Sequence, residues 1–425
     1  MLHNQPLTIN NIKYTLDDIE NNISVIIEAI DQNIELFDDA SSDYGTMGLA
    51  IFYFYCHQYF KDEKYLEKGE QLINLSIVWV SSISQENYKP KYKGDSLSNV
   101  ISSFGKGLLF IQYHWNYEYN FEDFYTIIED TLELLTEQSL KEKDFDYFSG
   151  ALSAGHFHLN KYYYQKDEKS KLVLQKIYSA IHEYAIYHTP NEIYWKSSAV
   201  YNNLVYLGIS HGCSMILNFI SKIIQLGVIK DDNLNQNFLN KAVNLVMSKK
   251  RNISTSYFPN FFSDEEFPKE LNTIFGITYG DLGVLYALYN ANKILKNSIL
   301  ELEITDMLVT SAERKMDLKF TYDAGVMYGA SGIFSAFKEL YQTTDIPIYK
   351  ECYQYWYGQI MELRNLKTKE KAGYTFVCTP KDLKKSISDE FSLGWGLAGV
   401  GISLLIGIDS SLPSIDELGL LGKLV

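Results

Sequence analysis

Hydrophobic positions cluster in short segments that recur along the chain, and each segment begins at or near a glycine. The starts of neighbouring segments are 47 to 71 residues apart, which leaves room for a second helix and a return loop. The repeat unit is therefore predicted to be an α-hairpin, and seven such units would close into a ring. The seven segments are 48–60, 107–115, 154–165, 212–224, 283–295, 332–342 and 399–408.

The segments between these apolar helices are amphipathic, as 62–80 and 122–135 illustrate. One helical face of 122–135 carries Phe124, Ile128 and Leu135. The acidic side chains of this segment fall largely on other faces, and they are Glu129, Asp130 and Glu133. Mostly apolar helices that alternate with amphipathic helices indicate an inner layer of helices wrapped by an outer layer. We therefore predict an all-α fold, an α/α toroid of about seven inner and seven outer helices. Only 374–380 favours a strand.

A single domain is predicted for residues 1–425, with the repeats at about 44–408, because no Pro-, Gly- or Ser-rich linker interrupts them. An apolar fraction of 46% is enough for a large core. Glycine turns let backbones approach closely, and they leave the amide ends of the following helices directed at one shared place. Function is therefore expected at the centre of the ring.

The charge and the cysteines narrow the class of protein. A net charge of −15 without a basic stripe argues against a nucleic-acid partner. The longest uncharged stretch, 393–408, is shorter than the ~20 residues of a membrane-spanning helix, so no membrane span is predicted. The first residues lack the blocks of a signal peptide. The four cysteines are scattered without a C-x-x-C pair. These features favour a cytoplasmic protein without disulfides.

Four of the turns carry more than glycine, and they occupy 207–212, 277–283, 327–332 and 394–400. In this order they resemble the turns of the lanthionine synthetase C-like family, and the resemblance extends over about 44–408. It implies an α/α toroid. It also implies a ribosomal precursor peptide as substrate, because the lantibiotic members of the family close thioether rings. They add peptide cysteines to dehydroalanine or dehydrobutyrine.

The resemblance further implies a zinc site, which the family builds from a cysteine in one turn and a Cys-His pair in the next. Here Thr278 stands at the first ligand position, and Met327 and Tyr328 stand at the other two. Zinc binds thiolate, imidazole or carboxylate, so we predict that this chain binds no metal. His156 and His158 lie two residues apart on a predicted helix and therefore on different faces. This spacing argues against a relocated site.

Three residues match family positions with a predicted catalytic role. His211 is the candidate general base, because imidazole exchanges protons near neutral pH; the alternative is a histidine that only holds its turn by a hydrogen bond. Tyr279 is a candidate proton donor to an enolate, and its alternative is packing among 34 tyrosines. Asp146, four residues before Gly150, fits a family aspartate, and a simple loop carboxylate is its alternative.

Other side chains of the matched turns are predicted to contact substrate, namely Thr278, Asp281, Met327, Tyr328 and Trp395. The family arginine is absent, since Ile274 stands at its position. Cys213, near a predicted helix start, is either a thiol of lowered pKa or a small apolar filler. Cys56 is expected in the core.

Two functions from different classes follow from the resemblance. The first is a zinc-independent cyclase that forms lanthionine or methyllanthionine rings in a dehydrated precursor peptide. The second is a degenerate, catalytically inactive scaffold that holds the peptide within a modification complex. A lanthipeptide dehydratase is a further partner that either function allows. A weaker third hypothesis is the addition of a small thiol such as glutathione to dehydrated proteins.

Overall fold

The computed structural model describes residues 13–91, 94–196, 204–251, 256–263, 275–314, 323–376 and 387–422. Fourteen α-helices lie within this part of the chain. They are α1 (Leu16–Asp31), α2 (Thr46–Phe60), α3 (Glu63–Ser82), α4 (Leu97–Trp115), α5 (Glu122–Glu142), α6 (Ala151–Gln165), α7 (Glu168–Glu183), α8 (Cys213–Gln225), α9 (Asn233–Ser248), α10 (Asp281–Leu295), α11 (Ser298–Ala312), α12 (Ala330–Thr344), α13 (Pro347–Glu362) and α14 (Leu397–Ile408).

These helices form two concentric layers. The even-numbered helices are the inner layer, in which α2 packs against α4, α4 against α6, α6 against α8 and α8 against α10. The ring closes because α12 packs against α14, α14 packs against α2, and the outer helix α1 packs against α14. The predicted α/α toroid is therefore confirmed.

The burial of single helices explains the layers. The outer helix α1 buries one stripe, with Ile19, Ile23, Ile26 and Ile30 at helical spacing. The inner helix α2 buries every residue from Thr46 to Cys56, because it has neighbours on all sides. Hydrophobic residues all round a helix are stable only in such an enclosed position.

The loops that lead into the inner helices are named turns 1 to 7, and they comprise 39–45, 95–96, 144–150, 206–212, 275–280, 323–329 and 389–396. In turn 1, Asp39 Oδ1 accepts a hydrogen bond from the Ser41 amide at 2.7 Å. A Cβ atom on Gly45 would lie 2.1 Å from this oxygen, so no side chain fits. The same arrangement recurs in turns 3 and 6, between Asp144 and Gly150 and between Asp323 and Gly329.

Helix α4 departs from the predicted pattern. It begins at Leu97, after the capping residue Ser96, whose hydroxyl accepts the Asn99 amide at 3.1 Å. Gly107, the predicted helix start, lies inside the helix, where a Cβ atom would be 2.4 Å from Met47 Cγ. This glycine therefore permits the close approach of α2 and α4. The prediction of a glycine turn before every inner helix is wrong at this position.

Two other interpretations of the sequence need correction. Glu129 does not face away from the core, because it is 5% exposed and forms an ion pair with Lys161 of α6. No strand occurs at 374–376, and the remainder of 374–380 lies outside the described residues. Strands occur elsewhere, as two small antiparallel pairs: β1 (Ile186–Thr189) with β2 (Glu192–Tyr194), and β3 (Val205–Tyr206) with β4 (Phe261–Phe262).

The uncharged stretch 393–408 forms the end of turn 7 and α14, a buried inner helix of 12 residues. Within the described ranges, no helix combines the length and the apolar character that crossing a membrane requires.

Residues 413–422, here named the core segment, run through the interior of the toroid after α14. Ile415, Leu418 and Leu421 are at most 2% exposed. Inner helices hold the segment by polar contacts: Tyr55 Oη donates to Pro413 O (2.8 Å), Asn160 Nδ2 to Glu417 O (3.3 Å), Asn218 Nδ2 to Leu421 O (3.0 Å) and Ser335 Oγ to Asp416 Oδ2 (2.9 Å).

Candidate active site

The seven turns meet at one end of the ring, where hydrogen bonds link neighbours around the ring. The bond from turn 1 reaches Asn99, at the start of α4, and the other bonds join one turn to the next. In ring order, the bonds are Asn99 Nδ2 to Tyr44 Oη (2.6 Å), Ser96 Oγ to Phe148 O (2.5 Å), His211 Nδ1 with Asp146 Oδ2 (2.8 Å), Ser210 Oγ to Thr278 O (3.4 Å), Thr278 Oγ1 to Met327 O (3.1 Å), Met327 N to Gly394 O (3.1 Å) and Gly394 N to Asp43 O (2.7 Å). Side chains from different turns are therefore held at fixed distances from one another.

His211 of turn 4 and Asp146 of turn 3 form the polar centre of this end. The Asp146 side chain is fully buried, whereas the His211 side chain keeps 12% of its surface exposed. The second carboxylate oxygen, Oδ1, accepts the backbone amides of Phe148 at 2.8 Å and Ser149 at 3.3 Å. Turn 3 thus orients the carboxylate, and the carboxylate orients the imidazole so that its Nε2 atom is left for chemistry.

Aromatic rings continue from His211 along the same end. The Tyr279 ring centroid lies 6.0 Å from that of His211, and the Tyr328 ring stacks on Tyr279 with centroids 6.1 Å apart. All three side chains are only partly buried. A substrate that reaches this end can therefore contact one imidazole and two phenols in a row.

A comparison with protein families identifies this arrangement. The model of the lanthionine synthetase C-like proteins matches residues 37–418, which include all seven turns. The chain belongs to the lanthionine synthetase C-like family. Among curated proteins, no sequence match is found.

The chain is also similar to solved structures. Nisin cyclase is 14% identical, with a TM-score of 0.71 over 95% of this chain and 98% of that chain. An inactive α-1,6-mannanase variant of Salegentibacter sp. HEL1_6 is 10% identical, with a TM-score of 0.47 over 90% and 98%. Cellobiose 2-epimerase from Bacillus thermoamylovorans is 11% identical, with a TM-score of 0.45 over 92% and 100%. The nisin cyclase match supports the toroid fold.

The residues at the family's zinc-ligand positions do not fit zinc in this member of the lanthionine synthetase C-like family. Thr278 is 1% exposed and uses its hydroxyl to bind the carbonyl oxygen of Met327. Met327 and Tyr328 offer a thioether and a phenol, which zinc does not select. The described residues contain no group of three or more His, Cys, Asp or Glu side chains that could hold a metal.

Four of the five residues predicted to contact substrate are buried, namely Thr278, Asp281, Met327 and Trp395. Asp281, the first residue of α10, has no exposed surface, and its carboxylate accepts the Tyr257 and Phe258 amides at 2.8 and 2.9 Å. Arg314 also donates to it at 3.2 Å, so Asp281 anchors the loop around residue 257. Trp395 is 7% exposed and packs on Tyr44 with ring centroids 5.5 Å apart. Direct contact of either residue with substrate stays a prediction.

Of the two alternatives for Cys213, the structure supports the apolar filler. The side chain is 1% exposed, and burial raises the pKa of its thiol to about 12. Cys56 is fully buried, as expected, and burial raises its pKa as well. Neither thiol is an accessible nucleophile at neutral pH, because a nucleophilic cysteine must be ionised.

The two neighbouring histidines also lie in the interior. His156 packs between Tyr147 and Phe219, and burial lowers its pKa well below the usual value. His158 shares a hydrogen bond with Ser170 Oγ at 3.0 Å, and burial lowers its pKa to about 3. They contact different neighbours, as their spacing on one helix predicts.

Two aromatic walls of the site were not identified from the sequence. Phe148 lies with its ring centroid 5.4 Å from that of His211, and Tyr206 lies 6.4 Å away. A signal for Tyr206 exists in the repeats. It stands six residues before the glycine of its turn, where turns 1, 3 and 6 have aspartate and turn 7 has glutamate. Tyr206 and Ile274, at the corresponding place before Gly280, depart from this acidic pattern.

Proposed function

We propose that this protein is a zinc-independent lanthionine synthetase C-like cyclase that acts on a dehydrated precursor peptide. The observation that carries the proposal is the Asp146–His211 pair, which lies beside Tyr279 at the accessible end of the ring. A dehydratase must act first, because the substrate contains dehydroalanine or dehydrobutyrine. Family membership supports the reaction class, and the details of the mechanism rest on the geometry of the site.

The proposed reaction adds a thiol S–H bond across a carbon–carbon double bond. Nε2 of His211 takes the proton of a peptide cysteine, and the sulfur attacks the β-carbon of the dehydrated residue. The electron pair of the double bond moves toward the adjacent carbonyl group to form an enolate. The Tyr279 hydroxyl then protonates the α-carbon, and the proton held by His211 restores the phenol. No oxidant or reductant is consumed.

The energetic cost of working without zinc is tolerable. A free cysteine has a pKa of ~8.5, so a few per cent is already thiolate at pH ~7. Each unit by which a metal lowers a thiol pKa is equivalent to about 1.4 kcal/mol, or roughly tenfold in reactive thiolate. Holding both reactants in one site supplies on the order of 7–11 kcal/mol. A general base that removes the thiol proton in the same step reduces the deficit further.

The test uses the purified full-length chain and its own dehydrated precursor. We expect thiol consumption and ring formation, detected by mass spectrometry after thiol capping, that are faster than in buffer and unchanged by a zinc chelator. Elemental analysis should find no stoichiometric zinc. Loss of activity with chelator, or one zinc per chain, would contradict zinc independence. Tight peptide binding with no acceleration would instead favour the inactive scaffold.

A further inference from the structure

Lys106 of α4 connects turn 3 of the candidate active site to the core segment in the interior. The residue is 2% exposed, and its Nζ atom donates to the Tyr147 hydroxyl at 2.5 Å and to the Leu418 carbonyl oxygen at 2.7 Å. Burial lowers the pKa of Lys106 to about 8, while the nearby Asp43 carboxylate opposes this effect. A buried ammonium group with fixed acceptors is costly to displace, since every alternative leaves polar groups without partners.

Tyr147 occupies the middle of turn 3, between two residues that touch His211. Asp146 bonds to the His211 ring, and Phe148 packs beside it. Tyr147 itself is 1% exposed, packs on His156 with ring centroids 4.8 Å apart, and extends to Lys106 in the interior. The side chain that Lys106 holds is therefore adjacent in sequence to both residues that contact the candidate base.

We propose that Lys106 is a positioning residue for the Asp146–His211 pair. It holds Tyr147 against the core segment, and through Tyr147 it fixes turn 3 and the direction of the Asp146 carboxylate. The catalytic consequence rests on the proposed function, because an inactive scaffold needs no oriented general base. The structural consequence does not rest on the proposed function. The hydrogen bond between His211 and Asp146 can be observed in each folded variant, whether or not the protein is a cyclase.

Lys222 offers a matched control. It is also a buried lysine whose Nζ atom donates to the core segment, in this case to Leu421 O at 2.7 Å. It lies on α8, about 15 Å along the helix from turn 4. Replacing it removes a similar hydrogen bond from a buried lysine to the same segment, yet the Lys106–Tyr147 connection stays intact.

The experiment compares Lys106→Met, Tyr147→Phe and Lys222→Met in full-length protein labelled with ¹⁵N-histidine. The hydrogen-bonded Nδ1–H of His211 should give a downfield proton signal, which is assigned by its loss in His211→Ala. We expect this signal to weaken or disappear in Lys106→Met and Tyr147→Phe, and to persist in Lys222→Met. If Lys106→Met does not fold, Tyr147→Phe carries the test, because it removes only one oxygen atom.

The kinetic arm uses the dehydrated precursor. We expect kcat to fall by roughly tenfold or more in Lys106→Met and Tyr147→Phe, with little change in KM, since misplaced catalytic groups lower turnover rather than binding. An intact Nδ1–H signal in folded Lys106→Met and Tyr147→Phe, or an equal loss in Lys222→Met, overturns the proposal. A wild-type protein that shows the signal but no turnover contradicts the cyclase function instead, and the signal comparison still decides the role of Lys106.

Discussion

The Nδ1 atom of His211 lies 2.8 Å from Oδ2 of Asp146, although 65 residues separate the two in the chain. The contact joins turn 3 to turn 4, and among the seven bonds described around the ring it is the one between two ionisable side chains. A carboxylate behind an imidazole selects the tautomer whose proton lies on Nδ1. This contact is the reason for proposing His211 as the general base.

The first prediction concerns this pair. His211→Ala should lower the cyclisation rate by roughly 10²–10⁴-fold, because a general base contributes that much. Asp146→Asn should place its amide NH2 against Nδ1, because its oxygen is needed by the Phe148 and Ser149 amides. The ring proton then sits on Nε2, which can no longer accept a proton, so the rate should also fall. Cys213→Ala is the control, and the buried thiol should leave the rate unchanged. Full activity of His211→Ala would remove it as the base.

The second prediction concerns the link between turns 5 and 6. Thr278→Val keeps the shape of the side chain but removes the donor to Met327 O, and Thr278 is buried. Thermal or denaturant unfolding should show a loss of about 1–3 kcal/mol, the cost of leaving a buried acceptor unsatisfied. Thr343→Val, on the exposed surface of α12, should change stability by less than about 0.5 kcal/mol. Equal losses of stability in Thr278→Val and Thr343→Val would show that the bond between turns 5 and 6 does not stabilise the protein.

The third prediction compares two glycines. A Cβ atom on Gly150 would lie 2.4 Å from Asp146 N, whereas a Cβ atom on Gly358 of α13 meets nothing within 4 Å. Gly150→Ala should therefore destabilise the protein by about 1–3 kcal/mol and disturb the neighbouring Asp146. Gly358→Ala should stabilise it by about 0.5–1 kcal/mol, because alanine favours a helix. Destabilisation by Gly358→Ala would show that the space beside α13 is not free.

Much of this fold could be predicted from hydrophobic periodicity. Six of the seven inner helices begin within three residues of their predicted starts, because a glycine precedes them and apolar residues fill them. For α4, the hydropathy pattern predicts a start at Gly107, whereas the helix begins at Leu97. The first half of this helix contains buried serines and an asparagine, which resemble a loop in a hydropathy pattern. Serines such as Ser102 and Ser103 are tolerated there because they bond across to neighbouring turns and helices.

The site was harder to predict, because its contacts lie between repeats. A motif can indicate His211, but the pairing with Asp146 depends on how neighbouring turns are placed in space. The buried connection from Lys106 to Tyr147 has no local signal, since a lysine within an apolar run resembles a surface position. The core segment likewise has no sequence pattern that indicates its place, because it lies in the interior only once the ring of helices has closed.

The last prediction concerns pH and Asp416. Burial in the core segment raises the pKa of the Asp416 carboxyl to about 7, and the charge of Glu339 adds to this rise. In an unfolded chain an aspartate titrates near pH ~3.9. Between these values the folded protein holds a proton that the unfolded chain has released. Unfolding then releases a proton, so the contribution of Asp416 to stability falls as pH rises from about 4 to about 7.

Asp416→Asn should abolish this contribution, because the amide does not titrate and its oxygen still accepts from Ser335. We expect the unfolding midpoint of the variant, measured against wild type, to rise between about pH 5 and about pH 8. Asp306→Asn, on the exposed face of α11, should differ from wild type by a nearly constant amount over the same range. A difference for Asp416→Asn that is constant or shrinks with pH would mean that its carboxyl is already ionised in the folded protein. The buried negative charge of Asp416 would then have to be stabilised by a nearby positive charge such as that of Lys222. Lys222 lowers the pKa of Asp416, whereas Glu339 raises it.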